Sequence, residues 1–177
     1  MRLTFYIAVF VSLILSGCNN EPTLQKYFVE NSGNKDFIQV DLSSSLINKD
    51  KMKLTPEQKT ALESFDKMNI LAFKADSTNM KQYEAESQKV TNILKNKEYQ
   101  QLMKIGSGKD GATVSFVGEE DHINEFVFFA KKKENGFAVV RILGNDMNPN
   151  NIMNMISLLK SSNINMDALK PLQGMIK

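Results

Sequence analysis

The chain has 177 residues, a formal net charge of +2, one histidine, one cysteine and no tryptophan. Lysines and carboxylates are interleaved along it, so the concentrated basic stripe of a nucleic-acid binder is missing and no nucleic-acid partner is expected. One cysteine cannot build a disulfide framework, and one histidine beside one cysteine falls short of the usual zinc ligand sets.

The N-terminus reads as an address. Met1-Arg2 supplies a positive charge, Phe5 to Leu15 is an apolar run, and small residues lead into Cys18, the layout of a secretory signal. About 15 apolar residues are too few for a transmembrane helix, which needs roughly 20 to cross about 30 Å of hydrocarbon. Leu15-Ser16-Gly17-Cys18 resembles the lipobox of bacterial lipoproteins. The resemblance implies that residues 1–17 are a signal peptide, that the Cys18 thiol is diacylated with palmitate-like chains, and that cleavage makes Cys18 the first residue. Multiple acyl chains, at about 0.8 kcal/mol per buried methylene, hold a protein durably on a membrane. Asn19-Asn20-Glu21 lacks an aspartate after the cysteine and the acidic cluster that resembles surface-export signals, so the expected place is the periplasmic side of the outer membrane.

About 160 residues remain after such a leader, enough for one domain with its own core. Residues 18–34 are polar, contain Pro22 and Gly33, and read as a lipidated tether whose one apolar interruption, Tyr27-Phe28-Val29, is a candidate to dock on the domain. Residues 35–177 read as the single domain. Phe37, Ile38, Val40 and Leu42 around Gln39 and Asp41 predict a first strand. Thr55-Pro56-Glu57-Gln58 is a threonine N-cap, a proline at the first helical position and a capping-box glutamine, predicting a helix to about Lys67 with Ala61, Leu62, Phe65 and Met68 on one face. Asn69 to Phe73 reads as a buried strand. Asp76-Ser77-Thr78-Asn79 is cap chemistry ahead of a second amphipathic helix carrying Met80, Tyr83, Ser87, Val90 and Leu94.

Four strands follow: Tyr99 to Ile105, Ala112 to Val117, Ile123 to Ala130 and Phe137 to Leu143, separated by turn-rich segments. Asn135-Gly136 has the composition of a type I′ hairpin turn. Phe126 to Phe129 and Phe137 to Val140 are apolar on both faces, which places them centrally in a sheet. Asn148-Pro149 caps a last helix with Ile152, Met155, Ile156 and Leu159 on one face. The expected fold class is α+β, a largely antiparallel sheet packed against two to three helices, in the order β-α-β-α-β-β-β-β-α.

The leader, the pair ending Ile70-Leu71-Ala72-Phe73, the Tyr99-Gln100-Gln101-Leu102-Met103 segment and the close on Arg141-Ile142-Leu143-Gly144-Asn145-Asp146 together resemble the Bacteroidota lipoprotein family labelled domain of unknown function 4252. That resemblance implies a small envelope lipoprotein of unassigned activity, associated with extracytoplasmic-function sigma-factor loci and so with envelope stress. It carries no catalytic residues.

Each candidate for chemistry has a plainer account. His122 stands in a charged turn before a strand, and no His-Cys or His-Asp nucleophile system forms unless a distant residue partners it. Gly106-Ser107-Gly108-Lys109-Asp110-Gly111 lacks the spacing and following helix of a phosphate loop and reads as a hairpin. Asp146, Asn148 and Asn150 alternate like the opening of a calcium loop, but Asn151 stands where its glycine belongs and Ser157 at its acidic twelfth position. Glu119-Glu120-Asp121 reads as a solvated turn, and Lys131-Lys132-Lys133 as a charged hairpin tip that blunts pairing between sheets, in preference to a contact with anionic headgroups. Half of the ten methionines follow residue 146, and Met153 and Met155 point to different faces of the predicted helix, so core filling accounts for them better than Cu(I) binding.

Cys18 is therefore the one site residue expected, as a lipid attachment point, with no catalytic, metal or cofactor residue. The leading expectation is a lipid-anchored, non-enzymatic interaction or stress-linked accessory module with an envelope protein as partner. A carrier of a small apolar ligand, motivated by the Phe-rich strands, is the alternative, and a cryptic hydrolase ranks last.

Overall fold

The computed structural model describes residues 21–46, 54–107 and 110–150. Cys18 and its leader, Gly108 and Lys109, and the expected last helix beyond Asn150, with Met153, Met155 and Ser157, lie outside the described residues. In chain order the elements are α1 (Leu24–Glu30), β1 (Phe37–Ser43), α2 (Pro56–Glu63), β2 (Phe65–Lys74), α3 (Met80–Ile93), β3 (Gln100–Ser107), β4 (Asp110–Glu119), β5 (His122–Lys132) and β6 (Gly136–Met147). The strands form one sheet in the order β1-β2-β6-β5-β4-β3, with every neighbouring pair antiparallel. This is the α+β class that the strand and helix periodicities predict.

The two faces of the sheet have separate cores. On the front face Phe37, Phe73 and Phe137 lie in register across β1, β2 and β6. Their rings pack at 5.3 Å (Phe37 to Phe73) and 5.6 Å (Phe73 to Phe137), the second pair stacked at 7°. Phe129 and Tyr83 close on Phe137 at 6.0 and 6.2 Å. Leu24, Tyr27 and Phe28 of α1 and Tyr83, Val90 and Ile93 of α3 complete this core. On the back face Val40, Met68, Ile70, Phe116, Phe126 and Ile142 pack with Leu62 of α2 and with Phe65, Ile123 and Met147. Each fully buried Phe contributes about 1.5–3 kcal/mol, so strands apolar on both faces must sit where both are covered. Accordingly β5 and β6 are interior strands.

Three local expectations are corrected. The segment read as a tether is folded: Thr23 Oγ1 accepts from Lys26 N at 3.2 Å as the N-cap of α1, and Leu24, Tyr27 and Phe28 are buried at three- and four-residue spacing. The helix after Thr55 does keep its reciprocal capping box, with Gln58 N donating to Thr55 Oγ1 at 3.2 Å and Thr55 N to Gln58 Oε1 at 3.0 Å. It stops at Glu63 instead of running to Lys67, and β2 begins at Phe65. Phe65 and Met68 both reach the back core because a bulge between Phe65 and Lys67 turns the strand period of two into three, which imitates a helical step.

The third correction concerns Asn135-Gly136. Gly136 has φ +117°, but Asn135 is not in the positive-φ region that a type I′ turn needs. The turn spans three residues instead, with Lys132 paired to Gly136 and Asn135 N donating to Lys132 O at 2.9 Å. Glycine is required at 136 for another reason: a Cβ there would stand 1.8 Å from the Phe73 carbonyl oxygen on β2.

Candidate functional site

The front core ends in a polar cluster beneath α1. Asp41, Asn69 and Arg141 stand in register across β1, β2 and β6. Arg141 is 5% exposed, and its guanidinium forks onto Glu125 of β5, Nε to Oε1 at 2.6 Å and Nη2 to Oε2 at 2.9 Å. Nη1 donates to Gln25 Oε1 of α1 at 2.7 Å, and the guanidinium carbon lies 5.4 Å from the Phe28 ring centroid. A planar fork met by a carboxylate, an amide oxygen and an aromatic face is a geometry lysine cannot reproduce.

Further bonds fasten the N-terminal segment. Leu24 N donates to Tyr99 Oη at 3.3 Å, and Asn96 Nδ2 donates to Pro22 O at 3.0 Å. Tyr27 Oη donates to Glu86 Oε2 of α3 at 2.9 Å. Burial pushes the Tyr99 phenol up to about 12, and burial with the Glu86 charge holds the Tyr27 phenol far above its ordinary range. Both phenols stay protonated and act as fixed hydrogen-bonding groups, not as acids.

Beside the cluster, at the β1–β2 side of the sheet, an open cleft of about 240 Å³ is lined by Gln25, Gln39, Asp41, Lys67, Asn69 and Arg141, among others. Gln39 Nε2 donates to Asp41 Oδ2 at 3.0 Å, and Asn69 Nδ2 donates to Asp41 Oδ1. Glu125 answers the Arg141 charge, so the cleft offers amides, one carboxylate and Lys67. This is mixed donor and acceptor chemistry, suited to a peptide or another polar surface.

The candidates singled out in the sequence are placed as follows. His122 begins β5, and a distant partner does serve it: Nδ1 is 2.9 Å from Asp146 Oδ1, with both side chains exposed. The bond to Asp146 and then its charge raise the His122 pKa above its ordinary value. Asp146 is the one non-glycine residue with positive φ among the described residues, at 53°, and its carboxylate faces His122. Gly106 and Gly111 face each other across the β3–β4 hairpin, which is not a phosphate loop. Glu120 and Asp121 form the exposed β4–β5 turn, and Lys131 and Lys132 end β5 with Lys133 in the turn beyond. Among the described residues no three His, Cys, Asp or Glu side chains cluster as a metal site would require.

Glu125, Arg141 and Gln25 were not legible as a unit. The available signal was two charges inside apolar strands, Glu125 before Phe126-Val127-Phe128 and Arg141 between Val140 and Ile142.

An antiparallel sheet with helices on both faces and a built polar cluster under its N-terminal helix defines a small α+β domain. A family model, domain of unknown function DUF4252, matches residues 27–155, and the chain belongs to that family. No curated protein and no solved structure matches the chain. Among the described residues no helix is long and apolar enough to cross a membrane.

Proposed function

We propose that this protein is a lipid-anchored module of the cell envelope, held through Cys18 on the periplasmic side of the outer membrane, and that it works by binding an envelope protein, not by catalysis. The observation that carries the reading is the closeness of the lipobox-like Leu15-Ser16-Gly17-Cys18 to the folded domain: Glu21 O already accepts from Lys26 Nζ, and Pro22 O from Asn96. The preformed cleft around Gln39, Asp41, Lys67 and Asn69 supplies a surface for the partner. A stress-linked accessory role is the biological form we give this reading.

The Phe-rich strands are the feature that favours a carrier of a small apolar ligand. Those rings fill the front core themselves, at 5.3 to 6.2 Å between centroids. That observation supports the interaction module over the carrier.

The test is in-cell crosslinking from a photoreactive residue at Lys67, with a Cys18→Ala control and mass spectrometry of the membrane fraction. A stoichiometric partner joined from position 67, lost together with membrane attachment in Cys18→Ala, is the expected result. Membrane retention of Cys18→Ala would refute the anchor, and turnover of a substrate by the purified chain would refute the non-enzymatic assignment.

A further inference from the structure

The strand β3 is one edge of the sheet, and its exposed side chains are unlike those of the opposite edge. Leu102, Met103 and Ile105 are 46%, 52% and 61% exposed, whereas β1 shows Gln39, Asp41 and Ser43 outward. Lys104 is exposed within the same run. Between β3, β4 and the C-terminal end of α3 lies an open cleft of about 240 Å³, whose lining includes Leu94, Lys95, Lys104, Ile105, Asp110 and Lys131. Neither Lys104 nor Lys131 forms an ion pair among the described residues. The one carboxylate in the lining, Asp110, accepts from Lys133 N at 2.9 Å. Lys104 stands in register with Thr113 and Phe129 on the front face, where the cleft also holds Lys95 and Lys131, and Met103 and Ile105 point to the back, so the edge presents lysines on one flank and exposed aliphatic side chains on the other, the chemistry of a rim that meets anionic headgroups and inserts shallowly between them.

The path of the chain selects this occupant over a second copy or an added strand. Pro22 is bonded to Asn96 and Leu24 to Tyr99, immediately before β3 begins at Gln100. Two residues, Asn19 and Asn20, lie between Cys18 and Glu21, and the three steps of chain reach at most about 11 Å. An anchor at Cys18 therefore holds Glu21 within that reach of the bilayer surface and, through the Pro22–Asn96 and Leu24–Tyr99 bonds, keeps the turn that leads into β3 on the membrane side, leaving little room for a folded partner there. Glu98 and the Glu119-Glu120-Asp121 turn lie toward the Gln100 end of the strand, so the contact centres on its Met103–Ile105 half.

We propose that the β3 edge, through Leu102, Met103, Ile105, Lys95 and Lys104, docks against an anionic phospholipid leaflet and fixes the orientation of the domain on its membrane. This rests on the anchor at Cys18 and adds a second, non-covalent contact to it. Each lysine near an anionic leaflet raises partitioning about fivefold.

The experiment uses the full chain purified in its membrane-attached form, with Ile105→Cys as the only free thiol once Cys18 is acylated. A polarity-sensitive fluorophore at 105 is compared with one on Val29→Cys, a 64% exposed position in α1 that lines the cleft at the β1–β2 side. In vesicles containing phosphatidylglycerol the label at 105 should be shifted to the blue and at least threefold less accessible to an aqueous quencher than the label at 29. The difference should disappear in pure phosphatidylcholine, at high salt, and in Lys95→Glu/Lys104→Glu. Equal quenching at 105 and 29 in anionic vesicles would overturn the proposal. So would shielding that is indifferent to lipid charge and grows with protein density, because that result assigns β3 to a second copy. The mass of the N-terminal peptide, with or without its acyl groups, reports separately whether the anchor itself exists. An unchanged thermal unfolding midpoint for Ile105→Cys shows that the fold is retained.

Discussion

Replacing Glu125 with leucine tests the polar cluster most directly. Arg141 would keep its charge at 5% exposure and lose both bonds to the carboxylate, at 2.6 and 2.9 Å. Breaking a buried pair from one side costs about 3–5 kcal/mol, because the remaining ion is desolvated without compensation. Against a typical total of roughly 5–15 kcal/mol, that is a large share of the domain's stability. With a urea dependence of about 2 kcal/mol per molar, the unfolding midpoint should fall by roughly 2 M. Glu125→Leu/Arg141→Met removes both charges and should recover most of the loss, since well-packed apolar replacements of a buried pair are often neutral or stabilising. Gln25 and Phe28 also lose their partner when Arg141 is replaced, so the α1 amides should exchange faster in the double variant even where global stability returns. A loss below about 1 kcal/mol in Glu125→Leu, or a double variant no better than the single one, would refute the assignment of a compensated buried pair.

Gly136→Ala sets a Cβ against the Phe73 carbonyl at a position of φ +117°, and a loss of at least about 2 kcal/mol in chemical denaturation is expected. Thr55→Ala removes the acceptor for Gln58 N and should cost about 1 kcal/mol, read by the same assay. The His122 imidazole should titrate above its ordinary value in NMR, and Asp146→Asn should bring it back down. Because the folded state holds this proton more tightly, the contribution is full below the unfolded value near 6.5 and is lost as pH rises through the folded value. The Asp146→Asn variant should lose that pH dependence.

The elements legible in the sequence were those set by local chemistry. The capping box at Thr55, the i, i+3, i+4 stripe of α3 and the alternating or doubly apolar strands each follow from contacts within a few residues. The errors arose where tertiary structure overrode a local period. Seven residues of α1 are too few for a stable isolated helix, and although the docking of Tyr27 and Phe28 is legible as an apolar interruption in polar text, the helix itself, with Leu24 buried and Val29 exposed, is not legible until the sheet beneath it is known. At Phe65 and Met68 a bulge copied the helical step. The Glu125–Arg141 pair spans sixteen positions and depends on the β5–β6 register, which shifts between Ile123 and Glu125. No periodicity within either strand encodes that register.

The helix Leu24–Glu30 changes how the proposed anchor at Cys18 would relate to the domain. A flexible link of about 16 residues would span roughly 20–24 Å root-mean-square and let the domain turn freely above the lipid. The described chain begins at Glu21, and the segment from Pro22 to Glu30 is held by Asn96, Tyr99, Glu86 and Arg141 at four separate points. With the proposed acyl anchor at Cys18, those contacts would make the attachment directional. Across the sheet, five interstrand spacings of about 4.8 Å put β1 roughly 24 Å from β3. In the orientation proposed above, with the β3 edge toward the bilayer, the cleft around Asp41, Lys67 and Asn69 would be carried away from it, leaving room there for the proposed envelope partner.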